Sequence, residues 1–205
     1  MKLLLMTPPF FFSEEHQILN ALFGEGLDVL HLRKPSSEPV FSERLLSLIP
    51  KTYHRDIVVH DHFYLQGEYG LRGLHLNQRN PALPPNYKGQ ISCTCYTLEE
   101  VIRRRDTMGY IILSLTTGEG KDVQARFTQA ELQDAAKQGL LDRKVYVQGN
   151  ITLEQMDAFH SWGSAVWCCS GKYGIASISI LLKTSRKPLP ISACFGARQS
   201  KPIDQ

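Results

Sequence analysis

The sequence predicts an α/β fold, a (β/α)8 TIM barrel with an atypical C-terminal end, and three observations carry the prediction. Short apolar runs alternate with helix-period segments over most of the chain, the pattern of parallel strands joined by crossover helices. Eight such steps can be followed to residue 167, and short strands in that number favour a closed barrel over an open doubly wound sheet. No G-x-G-x-x-G follows the first strand, so a dinucleotide-binding open sheet has little support. A barrel places its chemistry on the loops at the C-terminal ends of its strands. That location is the criterion for every polar group considered below.

Residues 2–6 form the first strand, and Ser13, Glu14 and Glu15 precede an apolar Ile18/Leu19/Leu22/Phe23 face, the signature of a capped helix. Gly24 and Gly26 end it. Residues 27–32 are the second strand, and Ser36 and Ser37 open a helix that ends near Pro50. Residues 57–60 are the third strand, with a short helix around 63–66, and residues 73–76 are a very short fourth. Residues 91–95 are the fifth, and Thr97-Leu98-Glu99-Glu100 reads as a capping box launching a helix through Arg105. Residues 110–115 are the sixth, after which Thr128-Gln129-Ala130-Glu131 starts another capped helix to Gly139. Residues 144–147 are the seventh, Thr152-Leu153-Glu154-Gln155 repeats the capping pattern, and residues 164–167 are the eighth.

Composition bounds the function. The chain has 205 residues, 42% of them hydrophobic and 21% charged, as in a soluble one-domain protein. A net charge of +3 without a Lys/Arg stripe interleaved with aromatics argues against a nucleic-acid partner. The densest basic run, Arg103-Arg104-Arg105, follows LEEVI and reads as a solvated helix face. The apolar start is interrupted by Pro8-Pro9 and is too short for a signal peptide, and no run approaches the roughly 20 residues of a membrane helix. Five cysteines, in C-x-C, C-C and single positions, imply neither a zinc knuckle nor a disulfide framework. A reducing cytoplasm is the expected location, with no membrane partner.

Four strands end in groups suited to an anion or a metal. The second ends in His31-Leu32-Arg33-Lys34, the third in His60-Asp61-His62, the fourth carries His75, Asn77, Gln78 and Asn80, and the fifth carries Ser92, Thr94 and Tyr96. Each has a plain alternative: Asp61 can cap the next helix, and Asn77 and Asn80 can be turn residues before Pro81. In a barrel, however, these ends converge on one mouth. Arg33 offers a planar fork for phosphate and Lys34 a point charge. Asp61 suits Mg²⁺, and Gly149, shortly before the helix start at Thr152, can expose backbone N–H groups to a phosphate. The expected ligands are therefore phosphorylated or pyrophosphorylated small molecules.

The segments HLRKP, VVHDHF, GLHLNQ, ISCTCYTLEEV and strand–QGNIT–helix, in this order over residues 2–166, resemble the thiamine phosphate synthase family, which includes the thiazole tautomerases. The resemblance implies a Mg²⁺-dependent transferase of thiamine biosynthesis. It joins an aminopyrimidine methyl pyrophosphate to a thiazole phosphate and expels pyrophosphate. It implies that Arg33 and Lys34 contact pyrophosphate, that Asp61 binds Mg²⁺, and that His31, His75, Gln78 and Ser92 contact substrate. Gly149 and Asn150 would hold the thiazole phosphate. The chain departs from the family pattern at Pro35, where a lysine is expected, at Asn80 in place of a second metal aspartate, at Tyr96 where the tautomerase histidine falls, and at Asn150 in place of glycine. LTTGEGKDV replaces the family's closing loop; Thr116, Thr117, Gly118 and Lys121 can reach a phosphate there, or form a plain polar loop. Two other readings stay open: a catalytically impaired barrel that only binds phosphorylated thiamine precursors, and a tautomerase-like member. A homodimer is compatible with the sequence.

After Val166 the strand–helix grammar stops. Residues 1–166 read as the synthase-like barrel, and residues 167–205 as a basic, Pro/Ser-rich tail without a closing amphipathic helix, frame-shifted or poorly ordered. Codons compatible with residues 167–175, read one frame over, can spell V-L-Q-R-E-I-W-N, close to the family's Val-Val-Leu-x-x-x-Trp segment. Resequencing across codons 160–180 decides the point, and a clean frame matching the present tail contradicts it.

Overall fold

In a computed structural model of the chain, residues 4–117, 124–149, 158–159, 161–162 and 165–169 are described. The element order is β1 (Leu4–Met6), α1 (Glu15–Gly24), β2 (Val29–Leu32), α2 (Pro39–Ser47), β3 (Ile57–Val59) and α3 (Leu65–Tyr69). It continues with β4 (Gly73–Leu76), β5 (Gln90–Cys95), α4 (Leu98–Arg104), β6 (Tyr110–Ser114), β7 (Thr116–Thr117) and β8 (Gln124–Ala125). α5 (Gln129–Lys137), β9 (Val145–Gln148) and β10 (Ala165–Cys169) complete it. The hydrogen-bonded strand order, β1-β10-β9-β6-β5-β4-β3-β2, is that of a closed barrel, so the α/β barrel class read from the sequence is the one observed. The described residues divide into two compact units, 5–72 with 169 and 4 with 73–168. The tail beyond residue 169 and the helix expected at Thr152 lie outside the described residues.

In the first unit β2 and β3 pair in parallel with Leu30, His31 and Leu32 opposite Ile57, Val58 and Val59. Every residue of both strands is buried, as parallel strands covered on both faces require. The helix starts differ from the sequence expectation. α1 is preceded by Glu14 with no side-chain cap, so Ser13 does not cap it. α2 starts at Pro39, three residues later than expected, because Ser36 takes a positive φ of 60° and Ser37 donates to the Lys34 carbonyl. Proline in the first turn has no N–H to leave unsatisfied and so suits that start. A 3-10 helix over Lys51–Asp56, not foreseen in the sequence, precedes β3, and its buried His54 meets the Leu46 and Ile49 carbonyls at the end of α2.

In the second unit β4, β5, β6 and β9 run parallel in that order, and β10 pairs with β9. The β10 strand crosses the boundary placed at residue 166 and reaches Cys169. Thr97 accepts from the Glu100 N–H, but the Glu100 carboxylate accepts from Tyr96 N–H rather than from Thr97, so the expected box is closed one residue early. At Thr128 and Glu131 both halves of the box form. Gly73 faces Gln90 across β4 and β5, and a Cβ there would overlap the Gln90 carbonyl oxygen. Backbone cannot yield as a side-chain tip can. Gly73→Ala is therefore expected to cost about 1–3 kcal/mol, the usual range for overpacking, measured as a lower urea midpoint at unchanged slope.

Candidate active site

The strand ends of the first unit gather His31, Arg33, Lys34 and Asp61. Thr7, just past β1, fixes the segment after β2 from two directions. Its hydroxyl donates to the Arg33 carbonyl at 3.1 Å and accepts from the Arg33 N–H at 3.0 Å. One residue on, the Lys34 N–H donates to Asp61 Oδ2 at 3.2 Å, tying the end of β2 to the end of β3. Asp61 thus accepts across strands instead of capping α3, whose N-terminus has no side-chain cap. Arg33 is half-buried, and none of the side-chain hydrogen bonds or ion pairs found among the described residues engages its guanidinium.

The two cations past the end of β2 differ in their surroundings. Lys34 is buried, with its side chain 1% exposed, and its ammonium donates to both Glu15 carboxylate oxygens at 2.6 and 2.8 Å and to the Phe10 carbonyl at 2.7 Å. The Phe11 ring lies 4.4 Å from the same nitrogen. An ammonium has three N–H donors, and three acceptors are present. In this structure the Lys34 ammonium, expected from the sequence to contact pyrophosphate, is engaged in an internal ion pair. Burial raises the Glu15 carboxyl and lowers the Lys34 ammonium from their ordinary values, against the mutual attraction that opposes both shifts.

His31 Nδ1 and His60 Nε2 lie 2.8 Å apart, both residues buried, so one ring donates to the other. His62 donates to the Ser37 carbonyl at 2.8 Å from a positive φ of 53°. This bond holds the β2–α2 loop to the end of β3.

The second unit carries the remaining candidates. Ser92 donates to the Leu74 carbonyl at 3.3 Å, so its oxygen accepts from His75 Nδ1 at 2.9 Å. Donor counting then leaves Thr94 to donate to Nε2, also at 2.9 Å. His75 and Ser92 are both buried, and their polar atoms already have protein partners. Beyond β4, Asn77 Oδ1 accepts from the N–H groups of Arg79 and Asn80, at 2.9 and 3.1 Å. The turn reading of Asn77 is the one observed, and Gln78 is exposed on that turn. Gly149 follows β9, and a Cβ there would lie 3.1 Å from both Leu115 Cβ and Thr116 Cγ2. That close approach is what a glycine permits. Asn150 lies outside the described residues.

Sequence reasoning missed the β7–β8 hairpin, in which Thr116 and Thr117 pair antiparallel with Ala125 and Gln124. It also missed Glu15, read as part of a cap, and Arg126. Two-residue strands carry too little alternation to be seen. An acidic residue in line with a helix's apolar face was the available signal for the ion pair.

No protein-family model matches the sequence, and no curated protein matches it. Among solved structures, thiamine phosphate pyrophosphorylase from Bacteroides thetaiotaomicron is 43% identical over 83% of this chain and 83% of its own, with a TM-score of 0.75. Thiamine phosphate pyrophosphorylase from Pyrococcus furiosus is 12% identical over 91% and 97% of the two chains, with a TM-score of 0.64. A 3-hexulose-6-phosphate synthase is 17% identical over 89% and 97%, with a TM-score of 0.55. The last two likenesses concern the fold alone. Among the described residues no helix is long and apolar enough to cross a membrane. With 43% of residues shared across most of both lengths of the first structure, the chain belongs to the thiamine phosphate synthase, or pyrophosphorylase, family.

Proposed function

We propose that the protein joins an aminopyrimidine methyl pyrophosphate to a thiazole phosphate, releasing pyrophosphate, as a step of thiamine biosynthesis. The observation that supports this reading is that Asp61, at the end of β3, accepts from the Lys34 N–H at 3.2 Å, one residue past Arg33, whose guanidinium has no partner among the described residues. In the reaction the bond from the pyrimidine methylene to the pyrophosphate oxygen breaks with its electron pair leaving on oxygen. The thiazole nitrogen then supplies the pair for the new C–N bond. The difficulty is charge developing on the leaving group, and fixed donors aimed at it lower the barrier. Arg33 fills that role, its backbone held from both sides by Thr7 before substrate arrives. Gln78, exposed on its turn, would contact substrate, and Gly149 with Asn150 would receive the thiazole phosphate.

Asp61 fits Mg²⁺, which commonly takes one or two carboxylates and completes its shell with water and substrate phosphates. One Asp61 oxygen accepts from Lys34 N–H, an orientation of the kind that tunes metal carboxylates. Bound there, Mg²⁺ would neutralise charge on the departing pyrophosphate. Asp61→Asn is therefore expected to raise the Mg²⁺ concentration for half-maximal pyrophosphate release by about tenfold or more. Wild-type release that is independent of Mg²⁺, or an unchanged requirement in the variant, contradicts the assignment.

A further inference from the structure

We propose that Arg126 is the cation that binds the phosphate of the thiazole substrate, a role resting on the transferase reading above. Arg126 follows β8 directly, so the hairpin delivers it back to the end of β6. Its N–H donates to the Leu115 carbonyl at 2.8 Å, and its Nε donates to the Thr116 carbonyl at 2.8 Å. The guanidinium lies over the Tyr96 ring, 4.9 Å from the centroid. These contacts fix the plane of the group while leaving both Nη nitrogens without a hydrogen-bond or ion-pair partner among the described residues. The residue is exposed, so an incoming anion can reach it.

A pinned guanidinium with no carboxylate partner among the described residues is a preorganised anion receptor, because its planar fork matches two phosphate oxygens and loses little freedom on binding. Its surroundings identify the anion. Thr116 holds Arg126 through its carbonyl and packs its side chain where a Gly149 Cβ would come within 3.1 Å. Leu115 joins both partners in the same way, accepting from Arg126 N–H and donating its own N–H to the Gln148 carbonyl. The bare backbone at Gly149 and the Arg126 fork are thus mounted on the same two residues.

Calorimetric titration of the purified protein with the thiazole phosphate and with the unphosphorylated thiazole alcohol tests this without requiring turnover. The wild type is expected to prefer the phosphate ester. Arg126→Gln is expected to weaken ester binding by about ten- to hundredfold, the range for a lost charge-assisted hydrogen bond, and to leave the alcohol unchanged. Arg126→Lys keeps the charge without the Nε bond and is expected to retain the preference for the ester. Equal weakening of ester and alcohol, an unaltered ester affinity in Arg126→Gln, or Arg126→Lys behaving as Arg126→Gln overturns the proposal. Ester selectivity lost in Arg126→Gln but no product in the wild type supports the phosphate site and sinks only the transferase reading.

Discussion

Lys34→Met is expected to lose about 3–5 kcal/mol of folding stability, the usual cost of leaving one member of a buried ion pair alone, read as a lower denaturant midpoint. Glu15 would remain 3% exposed at its side chain, without the ammonium that now contacts both its oxygens. The double variant Glu15→Leu/Lys34→Met is expected to regain most of that loss, since replacing a buried pair by apolar groups of similar volume is often neutral. The directions of the two shifts agree. Glu15 is raised, so the stability linked to it is present below the unfolded carboxyl value and lost as pH rises through the folded one. Lys34 is lowered, so the stability linked to it is present above its unfolded value and lost as pH falls through the folded one. Both signs mean that burial penalises the charged pair near neutrality. Wild-type stability in Lys34→Met together with weakened pyrophosphate binding would restore Lys34 to the ligand role expected from sequence.

Arg33→Gln is expected to lower kcat/KM by about 10²–10³, the effect of removing one preorganised donor from developing negative charge. Arg33→Lys is expected to recover little of it, because a point charge does not reproduce the planar fork. Thermal stability should stay near that of the wild type in both variants, since the ties at this position run through the Arg33 backbone to Thr7. A loss of activity matched by a loss of stability would make Arg33 a structural residue instead.

Most of the barrel was legible because its signals are local. Residues 73–76 were read with the bounds β4 takes, and the Thr128–Glu131 capping box forms as its spacing requires. The misplaced starts of α1 and α2 have a common cause. Serines near a helix offer several hydrogen-bonding choices, and Ser37 bonds to the Lys34 carbonyl instead of capping α2. The sequence reads the candidate site as a set of strand ends, and the ends of β2 and β3 are tied through the Lys34 N–H and Asp61. Partner choice was not legible. His75 answers to Ser92 and Thr94 from the neighbouring strand, and Lys34 to Glu15 from a preceding helix. Such pairings depend on register and parity across elements, which one-dimensional pattern carries only when each strand's faces are tracked. Arg126 escaped notice because its place is set by a hairpin of two-residue strands.

The most direct test is to incubate the purified wild-type protein with the aminopyrimidine methyl pyrophosphate, the thiazole phosphate and Mg²⁺, and to follow products by mass. The account predicts thiamine phosphate and pyrophosphate in equal amounts, with neither formed when Mg²⁺ or either precursor is omitted. Binding of both precursors without any thiamine phosphate would contradict it and leave a barrel that only binds phosphorylated thiamine precursors.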